Sequence, residues 1–186
     1  MIYEYIFLAF IIALFKKGSI TKFLETNLTH QPIILLSVFI QIGTMMLYNR
    51  VTFIEQTFSF WIIGSYLILI YAVWKNFHLP GFKIFFTGLI LNFLAIVTNG
   101  GRMPVSIEAI ETIGLGDRIQ ELGEGYRKHQ FLTENTNLSF LTDVIPIVQP
   151  FVYWQMVASV GDLLVTAGLC WFIYKRVTKD PIQNHS

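Results

Sequence analysis

Charge and cysteine are both scarce in this chain. Asp, Glu, Lys and Arg make up 13% of its 186 residues, against roughly a quarter in an ordinary soluble domain. The single cysteine, Cys170, excludes an intramolecular disulfide and a cysteine-based zinc site. No HExxH run and no Ser–His–Asp signature occurs, so neither a metal nor a cofactor is expected. Internal repeats and low-complexity segments are also missing. The net charge of +1 offers nothing to nucleic acid.

What fills the chain instead is apolar. Hydrophobic residues reach 54%, and Phe alone occurs 17 times. Thr26–Asn49, Gln56–Trp74 and Ile84–Gly101 carry no formal charge, and Val144–Tyr174 is broken only by Asp162. A spanning helix needs about 20 mostly apolar residues. These runs predict spans near 2–15, 32–48, 58–74, 82–98 and 151–174. The fold expected is an all-α integral membrane bundle of about five transmembrane helices with a partly helical extracytoplasmic loop, 99–150, in one domain. The first run is followed, not preceded, by Lys16 and Lys17, and no small-residue cleavage site comes after it, so it reads as a retained anchor.

Basic residues orient such a bundle. Lys16, Lys17, Lys22, Lys75, Lys83, Lys175, Arg176 and Lys179 fall on one side, and Arg50, Arg102, Arg118, Arg127 and Lys128 on the other. The richer side belongs inside, which puts the amino terminus outside and the carboxyl terminus in the cytoplasm. In the first loop Ile20, Phe23, Leu24 and Leu28 recur at helical spacing beside Lys17 and Lys22. They read either as an interfacial helix or as a plain linker.

The segment 99–150 is too long for an idle connection. It holds seven of the twelve acidic residues. Ser106 is placed to cap a helix running to Gly114. Asp117 and Gln120 suggest a second helix toward Tyr126, and Leu138, Leu141 and Ile145 a third, ended by Pro146.

Polar residues inside the apolar runs align. Gln155, Ser159, Asp162, Thr166 and Cys170 follow one helical stripe, and Gly88, Asn92, Ala95 and Asn99 follow another. Gln41, Thr44 and Tyr48 make a third. Asp162 is expected about 15 Å into its helix, near the membrane midplane. A carboxyl there must face the interior, pair, or stay protonated. It reads as a functional acid, with helix–helix hydrogen bonding as the alternative.

The stretch TNGGRMPVS, Thr98–Ser106, ends the fourth run. Gly100 and Gly101 permit positive φ, Pro104 forces Met103 to be extended, and Arg102 offers a planar fork to a carboxylate or phosphate. The turn aims Asn99 and Arg102 back at the bundle mouth. A plain helix stop with a snorkelling arginine is the competing reading. A further polar cluster, His129–Asp143, contains Asn135 and Thr136. His129 and Asp143 could bind a metal or act as an acid–base pair, though their spacing matches no metal motif; a capped interfacial helix, with Thr133 or Asn135 as its cap, is the competing reading.

These residues together carry a resemblance. NGGRMPV, then His129, then LTENTNLSFLTDVIP, then SVGDLLVTAG resembles a family of small bacterial multi-spanning membrane proteins filed as a domain of unknown function. The resemblance implies a bacterial inner-membrane location and a helical bundle, and it assigns no activity. It carries motif membership for Asn99, Gly100, Gly101, Met103, Pro104, Asp143, Gly161 and Asp162; Arg102 stands at a position that varies.

The expected function is a non-enzymatic, outward-facing polar pocket for a small polar ligand, a lipid headgroup or a partner. Its rim is Asn99–Pro104 with the loop residues, and its floor is Asp162 with Asn92. Membrane lipids, a second copy or another membrane protein are the expected partners. An enzyme acting on a lipid-linked substrate, using His129, Asp143 and Asp162 as acid–base groups, is the alternative, and a proton-coupled transport component is a third.

Overall fold

A computed structural model describes residues 26–119, 129–148 and 155–178. Four helices form the body: α1 (Gln31–Leu47), α3 (Phe58–Trp74), α4 (Phe82–Thr98) and α6 (Val160–Thr178), with short α2 (Thr52–Gln56) and α5 (Ile107–Thr112) between them. The long helices pack in sequence, α1 on α3, α3 on α4 and α4 on α6, with the α4–α6 contact the most extensive and the α3–α4 contact the least. Two small sheets complete the described chain. In one, β1 (Met103–Val105) runs parallel to β2 (His129–Phe131). In the other, β3 (Ile145–Ile147) pairs antiparallel with β4 (Met156–Ala158).

The described chain does not form the five-span membrane bundle expected from its apolar runs. Among the described residues no helix is long and apolar enough to cross a membrane. α1, α3 and α4 each close at 17 residues, about 25 Å at 1.5 Å per residue, against about 30 Å of hydrocarbon. The fifth apolar run is not one helix. Ile145–Ile147 and Met156–Ala158 are extended, and α6 begins only at Val160. Pro146 within β3 and the β-branched Ile145, Ile147 and Val157 favour strand over helix. Gln155 therefore lies outside the helical stripe expected for it. Leu138, Leu141 and Ile145 do not share a helix either: a single 3-10 turn, Ser139–Leu141, precedes β3. The expected first span, the interfacial helix before Leu28 and the helix from Asp117 to Tyr126 fall wholly or mostly outside the described residues; Gly116–Arg118 is a 3-10 turn.

Glycines set the closest helix contact. Gly88 and Gly161 face each other across α4 and α6, as do Gly81, just before α4, and Gly168. A Cβ on Gly88 would lie 2.5 Å from the Gly161 carbonyl oxygen, and one on Gly168 would lie 2.5 Å from the Phe85 nitrogen. The two pairs are seven residues apart along each side of this antiparallel helix contact, so both fall on the same seam. Around them Leu69, Val73, Leu79, Phe82, Leu89, Val165 and Phe172 form the main core. Phe82 and Phe172 meet edge to face at 5.2 Å. A second cluster, Tyr48, Phe58, Ile62 and Ile96, closes the other end of the helices.

The segment after α4 folds back onto that second end. Asn99 Nδ2 donates to the Asn137 carbonyl at 2.8 Å, and the Asn137 amide returns a bond to Asn99 Oδ1 at 3.0 Å. Ser106 caps α5 by accepting from the Ala109 amide at 3.2 Å, and Gly114 ends that turn with φ of 73°.

Candidate functional site

The start of α6 is locked to the middle of α4. Ser159 precedes the helix and Asp162 is its third residue, the spacing of a capping box. Asp162 N donates to Ser159 Oγ at 3.0 Å, and Ser159 N donates to Asp162 Oδ2 at 3.1 Å. Asn92 closes the ring. Its Nδ2 donates to Asp162 Oδ1 at 2.8 Å, and its Oδ1 accepts from Ser159 Oγ at 2.8 Å. Gly161 makes this approach possible, because a side chain there would strike the Asn92 amide. Asp162 is thus in the first turn of α6, not deep inside a helix, and both of its oxygens have partners.

A cavity of about 220 Å³ opens above this network. Asn92 and Asp162 form part of its wall, with Gly101, Met103 and Asp143 from the folded-back segment and Gln41, Phe58 and Tyr66 from α1 and α3. Asp143 is held there by its backbone. Its amide donates to the Pro104 carbonyl at 3.0 Å, and its carbonyl accepts from the Ser106 amide at 2.9 Å. These bonds place it beside Val105, on the opposite flank of β1 from β2. Asp143 is only 8% exposed, and among the described residues its Oδ1 has no hydrogen-bond partner. Gln41 Nε2, in the lining of the same cavity, is also buried and without a partner among the described residues. Burial, and then the Asp162 carboxylate, push the Asp143 carboxyl up to about 8. The Tyr66 phenol is pushed up for the same reasons, burial first and the two carboxylates after it.

The glycine turn shapes the rim. Gly100 and Gly101 have φ of 70° and 83°. Gly101 also abuts Ser59, whose hydroxyl donates to the Gly100 carbonyl. Met103–Val105 is extended, as the proline requires. Arg102 turns elsewhere. Its Nη2 reaches the Tyr48 hydroxyl at 3.1 Å, and its guanidinium lies over the Tyr48 and Phe58 rings at 6.0 and 5.9 Å.

Of the residues singled out from sequence, Asn92, Gly101, Asp143 and Asp162 meet at the cavity. Asn99, Gly100, Arg102 and Pro104 build the turn behind it. Asn135 is exposed, and Thr136 accepts from the Thr133 amide at 2.8 Å in a turn away from the cavity. The backbone of His129 pairs with Met103 in the β1–β2 sheet. Gln41 and Tyr66 were missed as site residues. Gln41 had a signal, the lone amide within the span expected near 32–48. Tyr66 had only its spacing of four and eight from Ile62 and Phe58. Among the described residues no group of three or more His, Cys, Asp or Glu could hold a metal ion.

The sequence profile of a family of unknown function, DUF5317, matches residues 25–174, and the chain belongs to that family. An uncharacterized protein of Thermotoga maritima is 32% identical over 108 residues, which is 57% of this chain and 57% of that protein. The chain thus spans a little over half the length of this relative. No solved structure matches the chain.

Proposed function

We propose that this member of the family is a binding protein whose cavity takes a small polar ligand offering a hydrogen-bond donor to Asp143 and an acceptor to Gln41. A primary amide or an amino alcohol has that chemistry. The observation that carries the reading is the pair of buried, unpartnered groups, Asp143 Oδ1 and Gln41 Nε2, on the wall of one cavity. An unsatisfied buried polar atom costs about 1–3 kcal/mol, which a matched ligand recovers. Phe58, Ile62 and Ile96 supply apolar contact around these groups. Asp162 speaks for binding over catalysis, since both of its oxygens already hold the Ser159–Asn92 network together.

The test is a thermal-shift titration of the purified chain with acetamide, ethanolamine and a panel of related small amides and amines. A saturable rise in Tm is expected, lost in Asp143→Asn and in Gln41→Met. No shift with any compound in the wild-type chain overturns the reading.

A second reading, acid–base chemistry in the same cavity, draws on the raised Asp143 carboxyl, which stays protonated near neutral pH beside the Asp162 carboxylate. Turnover of a lipid-linked substrate that is abolished in Asp143→Asn would decide for it.

A further inference from the structure

A second cleft, of about 570 Å³, lies at the opposite end of the α4–α6 pair. Its walls are the loop from Phe77 to Gly81, the first residues of α4 and the last turns of α6. His78 and Lys83 enter from one side, and Lys175 and Arg176 from the other. Among the described residues no acidic side chain lines it. Arg176 Nε is buried without a hydrogen-bond partner among the described residues. We infer that this cleft is a binding site for a phosphate group, independent of the cavity at Asp143.

The walls are pre-formed. Asn76 is fully buried and ties the loop down with three bonds: Nδ2 donates to the Thr29 and Ala72 carbonyls, each at 2.8 Å, and Oδ1 accepts from the Thr29 amide at 2.8 Å. Phe77 packs edge to face on Phe86 at 4.8 Å. Gly81 lies against the Gly168 carbonyl, so the loop cannot lift without opening the glycine seam. Ordering costs on binding are therefore small.

The donor set selects the ligand. A guanidinium fork matches two oxygens of a phosphate, and lysines add compact point charges. Lys175 and Arg176 also complement the carboxyl end of α6, where cations are favoured. That role accounts for their sequence position. It does not account for Lys83 and His78, which converge on the same cleft from another element, nor for the unpaired Nε. The amino end of α4 adds its partial positive charge, since it has no side-chain cap and no acid in its first turn. The volume exceeds what inorganic phosphate needs, so a phosphate ester fits. The ester is either soluble or carried on a lipid headgroup.

The full-length chain is titrated calorimetrically with inorganic phosphate and glycerol 3-phosphate at ionic strength held with chloride, and sedimented with phosphatidylglycerol or phosphatidylcholine vesicles. Saturable phosphate-dependent binding is expected, weakened about tenfold or more by Arg176→Gln and by Lys83→Gln. Lys83 is exposed, so its variant reads binding without a folding penalty. Lys75→Gln serves as control, because Lys75 lies over the Tyr71 and Trp74 rings at 5.4 and 4.8 Å, outside the cleft. Binding of the free phosphates assigns a soluble ester. Binding of phosphatidylglycerol vesicles alone, with the same variant pattern, assigns a headgroup. Both support the site, and Asp143→Asn should leave either unchanged. Absence of phosphate-dependent binding in both arms overturns the inference, as does a loss in Lys75→Gln equal to that in Lys83→Gln.

Discussion

Asn92 and Asp162 are 70 residues apart in the chain, yet the amide of one and the carboxylate of the other are joined at 2.8 Å. That bond carries the α4–α6 contact into the wall of the cavity. It lets a helix cap serve at the same time as a tertiary lock, because Ser159 and Asp162 satisfy each other as well as Asn92.

The lock should be measurable as coupling. Ser159→Ala removes a cap and a bond to Asn92 and should cost about 1–2 kcal/mol in urea unfolding. Asn92→Leu should cost more, since it leaves the Ser159 hydroxyl proton without its acceptor and Asp162 Oδ1 without its donor in a buried setting. A double-mutant cycle of Asn92 with Asp162 should return a coupling of at least about 0.5 kcal/mol. Strict additivity would mean that the network is not a unit.

Stability should fall as pH rises. The Asp143 carboxyl is lifted from 3.8 to about 8, by burial first and by Asp162 second. Between those values the folded chain keeps a proton that the unfolded chain has released. Stability therefore declines through that window and levels off above it. From pH 5 to 9 the loss attributable to this group should be at least about 1 kcal/mol. Asp143→Asn should remove most of that slope, and equal slopes in the two proteins would contradict the assignment.

The glycine seam predicts opposite outcomes for one substitution at two sites. Gly88→Ala meets the Gly161 carbonyl and Val165, and should destabilise by about 1–3 kcal/mol. Gly43→Ala in α1 meets nothing within 4 Å and should be neutral or stabilising by up to about 1 kcal/mol. Equal Tm changes in the two variants would refute the close approach.

The rim turn separates strain from contact. Gly100 and Gly101 both have positive φ, but only at Gly101 would an added Cβ meet a neighbour, the Ser59 Cβ at 2.5 Å. Alanine at either should cost about 1 kcal/mol or more for the backbone, and Gly101→Ala should cost more than Gly100→Ala. The reverse order in thermal unfolding would show that Ser59 yields freely.

Much of the local structure was legible in the residues. The apolar runs with their polar ends bounded α3 and α4, because helix length follows where apolar side chains stop. Gly100, Gly101 and Pro104 specified a positive-φ turn into an extended segment, because those angles are covalent and steric properties of the residues themselves. Ser106 marked a helix start for the same local reason. The small-and-polar faces of α4 and α6 were visible from spacing, and they placed Asn92 and Asp162 in reach of each other.

Chain order could not say which polar groups would be left over after packing. Arg102 read as a ligand fork but was taken up by Tyr48, and Asp162 read as a lone buried acid but became half of a helix cap. At the cavity the unpaired groups proved to be Asp143 and Gln41, whose positions depend on backbone bonds from Pro104 and Ser106 and on the docking of α1 against α3. Absence of charge also did not distinguish helix from strand. Val144–Ala158 is as apolar as the helices, yet its described residues include two paired strands, and this shortens the last helix. Composition and local sterics belong to the sequence alone. Which hydrogen bonds close, and which remain open to a ligand, depends on contacts between distant segments, and only the tertiary structure decided those.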